Sequence, residues 1–161
     1  MKKYVCFTLL LAMVLMLGSV WTANAEIIPP YGMGQIGYRG VVLCEELTLR
    51  EKASFSGKVV QVLPYDSFII VTEEKNGWAR VVLGDAEDSP SGWVNADYIA
   101  VDPAWYRTND KMPVFAWGST SAPKVALLDK NTTLPILKEE GEWLVVSLRG
   151  ATGWIHKTAK D

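Results

Sequence analysis

The chain has 161 residues, 49% of them hydrophobic and 21% charged, with sixteen Lys and Arg against eighteen Asp and Glu for a formal net charge of -2. That length suits one ordinary globular domain or two small ones, and the near balance of charge leaves no excess of positive charge for neutralising phosphates, so nucleic acid is not an expected partner. One His and two Cys are too few for a tetrahedral zinc site, and no metal or other cofactor is expected.

At the N-terminus, Lys2 and Lys3 precede an apolar run from Tyr4 to Leu17, and Ala23-Asn24-Ala25 supplies the small residues that a signal peptidase accepts. Residues 1–25 read as a secretory signal peptide cleaved before Glu26, which predicts a secreted or envelope protein with no stable membrane insertion after cleavage. The rival is an uncleaved anchor, since the run extended to Trp21 approaches the roughly 20 residues that span a bilayer. Cleavage removes two lysines and no acid, taking the net charge to -4. Cys44 is then the sole thiol, so no internal disulfide forms; it is either available for an intermolecular bridge or, as Val41-Val42-Leu43 before it favour, buried and inert.

Residues 26–40, with Pro29-Pro30 and four glycines, read as an extended leader that covers a sheet edge. Beyond it the chain repeats itself. Lys58-Val59 recurs as Lys124-Val125, Ile70 as Ile136, Glu73-Glu74 as Glu139-Glu140, Trp78 as Trp143, Val81 as Val146, Leu83 as Leu148 and Gly92-Trp93 as Gly153-Trp154. The spacing drifts from 66 to 65 to 61, with the changes falling where loops are expected. In the first copy, residues 41–101, Phe68–Thr72 and Trp78–Leu83 are short runs rich in β-branched and aromatic residues around Asn76-Gly77, a hairpin signature. A third strand starts at Gly92-Trp93-Val94. Residues 102–111 read as a linker packed by Trp105 and Tyr106. In the second copy, residues 112–161, the hairpin runs from Leu134–Leu137 through Glu140-Gly141-Glu142 to Trp143–Leu148, and the third strand starts at Gly153. No stretch after the signal shows a helical apolar stripe, so the expected fold is all-β, two small barrels in tandem. Residues 41–101 carry five basic and ten acidic side chains, and 102–161 eight and seven, so the two surfaces differ in sign.

Each copy resembles a bacterial SH3 (SH3b) domain. The pattern is Leu47-Thr48-Leu49-Arg50, Lys58-Val59-Val60, Asn76-Gly77-Trp78-Ala79-Arg80-Val81 and Gly92-Trp93-Val94, repeated as Pro113-Val114-Phe115-Ala116, Lys124-Val125-Ala126, Gly141-Glu142-Trp143-Leu144-Val145-Val146 and Gly153-Trp154-Ile155. The resemblance covers about residues 41–157 and implies barrels that bind peptidoglycan, through its peptide stem or glycan, often beside a wall hydrolase. It also implies groove-forming loops, onto which Phe55 and Tyr65 fall in the first copy and Trp117 in the second. The second copy has no basic residue to match Arg50, so only the first is expected to hold a wall-peptide carboxylate.

Trp78 and Trp143 follow hairpin turns, where a half-exposed ring offers a flat apolar face to a sugar or peptide stem. Trp93 and Trp154 are expected in the barrel cores. The candidate ligand-binding residues are therefore Trp78, Trp143, Arg50, Phe55, Tyr65 and Trp117, with no catalytic residue. The expected function is an exported, non-enzymatic wall-binding module; the alternatives are an envelope protein-interaction or scaffold protein and a cysteine-dependent wall hydrolase. The hydrolase would need Cys44 and His156 as nucleophile and base, yet Glu45 and Glu46 beside Cys44 oppose a thiolate. Asp85, Glu87 and Asp88, in a loop with Ser89-Pro90-Ser91, read as solvated acids rather than a Ca²⁺ site.

Overall fold

A computed structural model describes residues 25–34 and 36–158. The expected signal peptide, Ala25 apart, lies outside them; among the described residues no helix is long and apolar enough to cross a membrane. The fold is all-β. In chain order the strands are β1 Glu26–Ile28, β2 Tyr38–Val42, β3 Glu46–Arg50, β4 Val59–Pro64, β5 Phe68–Lys75, β6 Trp78–Val82, β7 Ser91–Asn95, β8 Ile99–Val101, β9 Trp105–Arg107, β10 Met112–Phe115, β11 Lys124–Leu128, β12 Thr133–Glu140, β13 Trp143–Leu148 and β14 Ala151–His156, with one 3-10 turn at Ala96–Tyr98.

The strands make two seven-stranded sheets, ordered β4-β3-β7-β6-β5-β2-β8 and β11-β10-β14-β13-β12-β9-β1. Period-2 alternation explains how each closes on itself. Leu47 and Leu49 of β3, Val81 of β6 and Val94 of β7 are buried while their neighbours are not, so each strand shows one apolar edge to a common interior. All seven strands of the first sheet feed one cluster, with Val42, Leu49, Leu63, Val71, Val81, Val94 and Ile99 among its members. Tyr106, Val114, Leu128, Ile136, Val146 and Ile155 build its counterpart in the second. The first sheet, whose end strands β4 and β8 reach the same cluster, has curled into a barrel, and β9 to β14 share one cluster in the same way, with β1 added at their edge.

Local chemistry sets the hairpins. Asn76 and Gly77, at φ 52° and 76°, supply the two positive angles of a tight two-residue turn between β5 and β6. In the second copy Gly141 alone of its pair has positive φ, 57°. Asn95 caps the 3-10 turn by accepting the Asp97 N–H at 2.9 Å.

The pairing register corrects the sequence alignment of the copies. Arg50 faces Val59 as Phe115 faces Lys124, and Val71 faces Val81 as Ile136 faces Val146. One offset, 65 residues, therefore relates Arg50 to Phe115 and Val71 to Ile136. The matches at 66, Lys58-Val59, Ile70 and Glu73-Glu74 with their partners, are one residue out of register. A slip of one would set buried Ile136 against half-buried Ile70, on the other face of its strand.

The leader does more than cover an edge. Residues 26–28 pair with β9 of the second sheet: Glu26 with Arg107, Ile27 with Tyr106, Ile28 with Trp105. β1 thus occupies in the second sheet the place that β8 takes beside β2 in the first. Beyond it, the backbone N–H groups of Tyr31 and Gly32 donate to the Asp102 carboxylate, and the Tyr31 ring lies 5.0 Å from the Arg39 guanidinium carbon. Trp105 and Tyr106, expected in the linker, are buried in β9. The repeats touch where Phe68 meets Trp105, with ring centroids 6.1 Å apart, and where Arg149 lies 5.2 Å over the Tyr65 ring and 3.5 Å from the Glu45 carboxylate.

Candidate ligand-binding site

The outer face of the first barrel gathers three of the six expected residues, Trp78, Arg50 and Phe55. β6 begins with Trp78 straight after the Asn76-Gly77 turn, which leaves its indole half-buried at the rim. Phe55, on the loop between β3 and β4, is 72% exposed, yet its ring meets Trp78 edge-on at 5.0 Å and 64°. On one side of Trp78 is a hollow of about 380 Å³ lined by Arg50, Phe55, Thr48, Asn95 and Tyr98. On the other is one of about 330 Å³ with Lys52, Lys75, Glu51, Glu73 and Trp93. The Trp78 ring is thus a partition between two depressions, one of which ends on a guanidinium.

Arg50 is positioned from within: its Nη1 donates to the Gly57 carbonyl at 2.8 Å, which ties the guanidinium to the loop that carries Phe55. That loop is braced by Ser54 and Ser56, whose hydroxyls lie 2.9 Å apart, and the second copy repeats the brace with Ser119 and Ser121 at 2.8 Å. One N–H committed to Gly57 leaves the other donors of the fork for a ligand carboxylate.

The second barrel differs where it matters. Phe115 stands in the place of Arg50, each paired across to the third-strand tryptophan, Trp154 or Trp93. The Phe115 ring meets Trp143 edge-on at 5.6 Å, and Trp143 in turn meets His156 at 4.8 Å. Trp117 is 54% exposed. Gly118 beside it runs so close to the indoles that a Cβ there would sit 3.0 Å from the Trp154 ring and 3.5 Å from Trp143.

Three expectations are corrected. Trp93 and Trp154 are not core residues: Gly92 and Val94, or Gly153 and Ile155, point inward, so the tryptophan between them faces out and is half-buried. The glycines let β7 and β14 press close, since a Cβ at Gly92 would lie 2.6 Å from the Arg50 carbonyl oxygen. Tyr65 is away from the groove, under Arg149 at the contact between repeats. Cys44 is half-buried rather than buried, and its Sγ lies 3.5 Å from the Glu46 carbonyl. Burial, with the Glu45 charge adding to it, pushes its thiol above the ordinary value. Tyr98 and Asn95 were missed as groove residues; the signal for them is the Asn95-Ala96-Asp97 cap, which turns the chain so that Tyr98 reaches the hollow. No group of three or more His, Cys, Asp or Glu among the described residues is arranged to hold a metal ion.

The chain belongs to the bacterial SH3 domain family, whose profile matches residues 45–100 and again 118–159. A putative N-acetylmuramoyl-L-alanine amidase of Bacillus subtilis strain 168, YrvJ, is 23% identical over 128 residues. The match takes in 68% of this chain but spans only 24% of the length of that protein. Among solved structures, NlpC1 from Trichomonas vaginalis is 15% identical with a TM-score of 0.37, the match covering 81% of this chain and 47% of that one. An NlpC/P60 family protein from Bacillus cereus ATCC 10987 is 13% identical with a TM-score of 0.38, covering 74% and 54%. Likenesses this loose carry no argument.

Proposed function

We propose that this chain is an exported, non-catalytic module that binds peptidoglycan, and that the first repeat receives a peptide stem with a carboxylate on Arg50. The observation that carries this reading is the Phe55–Trp78 pair standing over a hollow that contains a guanidinium already fixed by the Gly57 carbonyl. An aromatic rim beside a fixed guanidinium suits an extended ligand that sets its acidic end on Arg50, away from Glu46, which also lines the hollow. The family and the name of the amidase relative support the wall as the place of action. A partner protein, such as a wall hydrolase, would supply any chemistry.

Retention of the protein on purified sacculi is the test. Trp78→Ala should weaken it by about 1–3 kcal/mol, as loss of a central aromatic anchor does, and Arg50→Ala should weaken it at low salt more than at high salt. A wild-type protein that ignores sacculi overturns the proposal. A second reading, a protein-binding scaffold, draws on the end strands β4 and β11, where Val60 and Val62, and at the same register Val125 and Leu127, are all exposed. Cross-linking to an envelope protein without retention on sacculi would favour it. The hydrolase reading is opposed by the raised Cys44 thiol, and wall turnover that depends on Cys44 would restore it.

A further inference from the structure

The exchange of Arg50 for Phe115 is one of three that change the character of the site between repeats. The backbone bonds of the two loops correspond: Ser54 donates to the Lys52 carbonyl as Ser119 does to Trp117, and Gly57 to Ser54 as Ala122 to Ser119. Trp117 therefore stands where the first repeat has Lys52, and Thr120 where it has Phe55. The second repeat trades a guanidinium, an ammonium and a phenyl ring for two aromatic rings and a hydroxyl. Gly118 is drawn down onto the Trp143 and Trp154 rings, and Trp117 beside it, 54% exposed, holds the position whose counterpart, Lys52, lines a hollow with Trp78 and Trp93.

Two lysines of this repeat are held in ion pairs within the protein. Lys138 is paired with Glu140, Lys157 with Glu139 at 2.9 Å, and Lys124, opposite Phe115, is also engaged. Half-exposed indoles with Phe115 in the place of the guanidinium favour a ligand with apolar C–H faces, a ring of hydroxyls and no net charge. A pyranose has that chemistry; an acidic peptide does not. We propose that the second repeat is a stacking platform for a neutral sugar ring of the glycan strand, so that the repeats hold chemically different parts of one polymer. The inference rests on the wall-binding reading and assigns the glycan to the second copy.

The test titrates the intact protein with two soluble probes, a tetramer of N-acetylglucosamine and a free wall-stem tetrapeptide, following tryptophan fluorescence and binding heat. The tetramer should bind, and Trp117→Lys, which installs the residue of the first repeat, should weaken it by about tenfold or more while leaving the peptide affinity unchanged. Arg50→Ala should do the reverse. Raising salt from about 0.05 M to about 0.5 M should weaken the peptide and spare the tetramer. Trp117→Phe, which keeps an aromatic face, should retain most of the affinity and separates loss of stacking from misfolding. Wild-type protein that binds the peptide or sacculi but not the tetramer overturns this inference and leaves the wall-binding reading standing. Tetramer binding abolished by Trp78→Ala and untouched by Trp117→Lys overturns it as well, by moving the sugar to the first repeat. Failure to bind sacculi or either probe overturns both.

Discussion

The Asp102 carboxylate accepts the backbone N–H of Gly32 on both oxygens, at 3.1 and 2.9 Å, and that of Tyr31 on one, at 2.8 Å. Asp102 does so from a left-handed backbone, φ 44°, at the end of β8, where its own N–H donates to the Arg39 carbonyl at 2.6 Å. A charged acceptor holding two amides is worth about 1.5–3 kcal/mol. Asp102→Ala should cost about that much in urea denaturation and speed amide exchange in residues 26–28; Asp102→Asn, which tolerates the same backbone and keeps one acceptor, should cost less. Equal exchange in wild type and Asp102→Ala would refute the clamp.

Tyr106 is buried in the second core, and its hydroxyl has no hydrogen-bond partner among the described residues. A buried hydroxyl left unpaired costs about 1–3 kcal/mol, so Tyr106→Phe should leave stability unchanged or raise it. Burial also pushes the Tyr106 hydroxyl above its ordinary value of 10.0. Tyr65 shifts the same way, through burial and then the Asp66 and Glu45 charges, against the opposing pull of Arg149. The unfolded chain releases these protons first, so their contribution is fully present below pH of about 10 and is lost as pH rises through the folded values. Alkaline unfolding of Tyr106→Phe should show a shallower fall than wild type.

A methyl group at Gly153 would collide with the Val114 side chain and come within 2.8 Å of Leu148 Cδ1. Gly153→Ala should destabilise the second barrel by about 1–3 kcal/mol, the usual cost of overpacking. Gly77→Ala meets no neighbour and should cost only what its positive φ of 76° imposes. Thermal denaturation of the two variants ranks them.

Ile155 is fully buried and Trp154 beside it is not. Ile155→Ala should therefore cost about 2–5 kcal/mol, and Trp154→Ala less, although it deletes the larger side chain. The reverse order in chemical denaturation would return Trp154 to the core.

The strands and hairpins were legible because their causes are local: alternation in Trp78–Leu83, and the turn chemistry of Asn76-Gly77, act over a few residues. Trp78, Arg50 and Phe55 line one hollow. The faces of Trp93 and Trp154 were legible too, in principle, since a glycine two residues before a β-branched residue marks the inward row. What the sequence hid is non-local. The two glutamates of Glu73-Glu74 match Glu139-Glu140 by identity, yet Glu73 faces Arg80 as Lys138 faces Val145, and only the ladder reveals that register. Nothing near Tyr65 announces Arg149, and nothing in residues 26–28 names β9 as their partner.

That last pairing sets the timing of assembly. Residues 38–101, which build the whole first sheet, precede β9 in the chain, so synthesis from the N-terminus can complete one barrel while β1 still has no partner. The contact between Glu26 and Arg107 closes a loop of 81 residues, and closures over such separations come late and slow folding. β1 is the first of the strands to be made and among the last to be seated. Until then the second barrel has an open β9 edge, and a nascent chain in that state offers chaperones, or a neighbouring copy, an unpaired strand to capture.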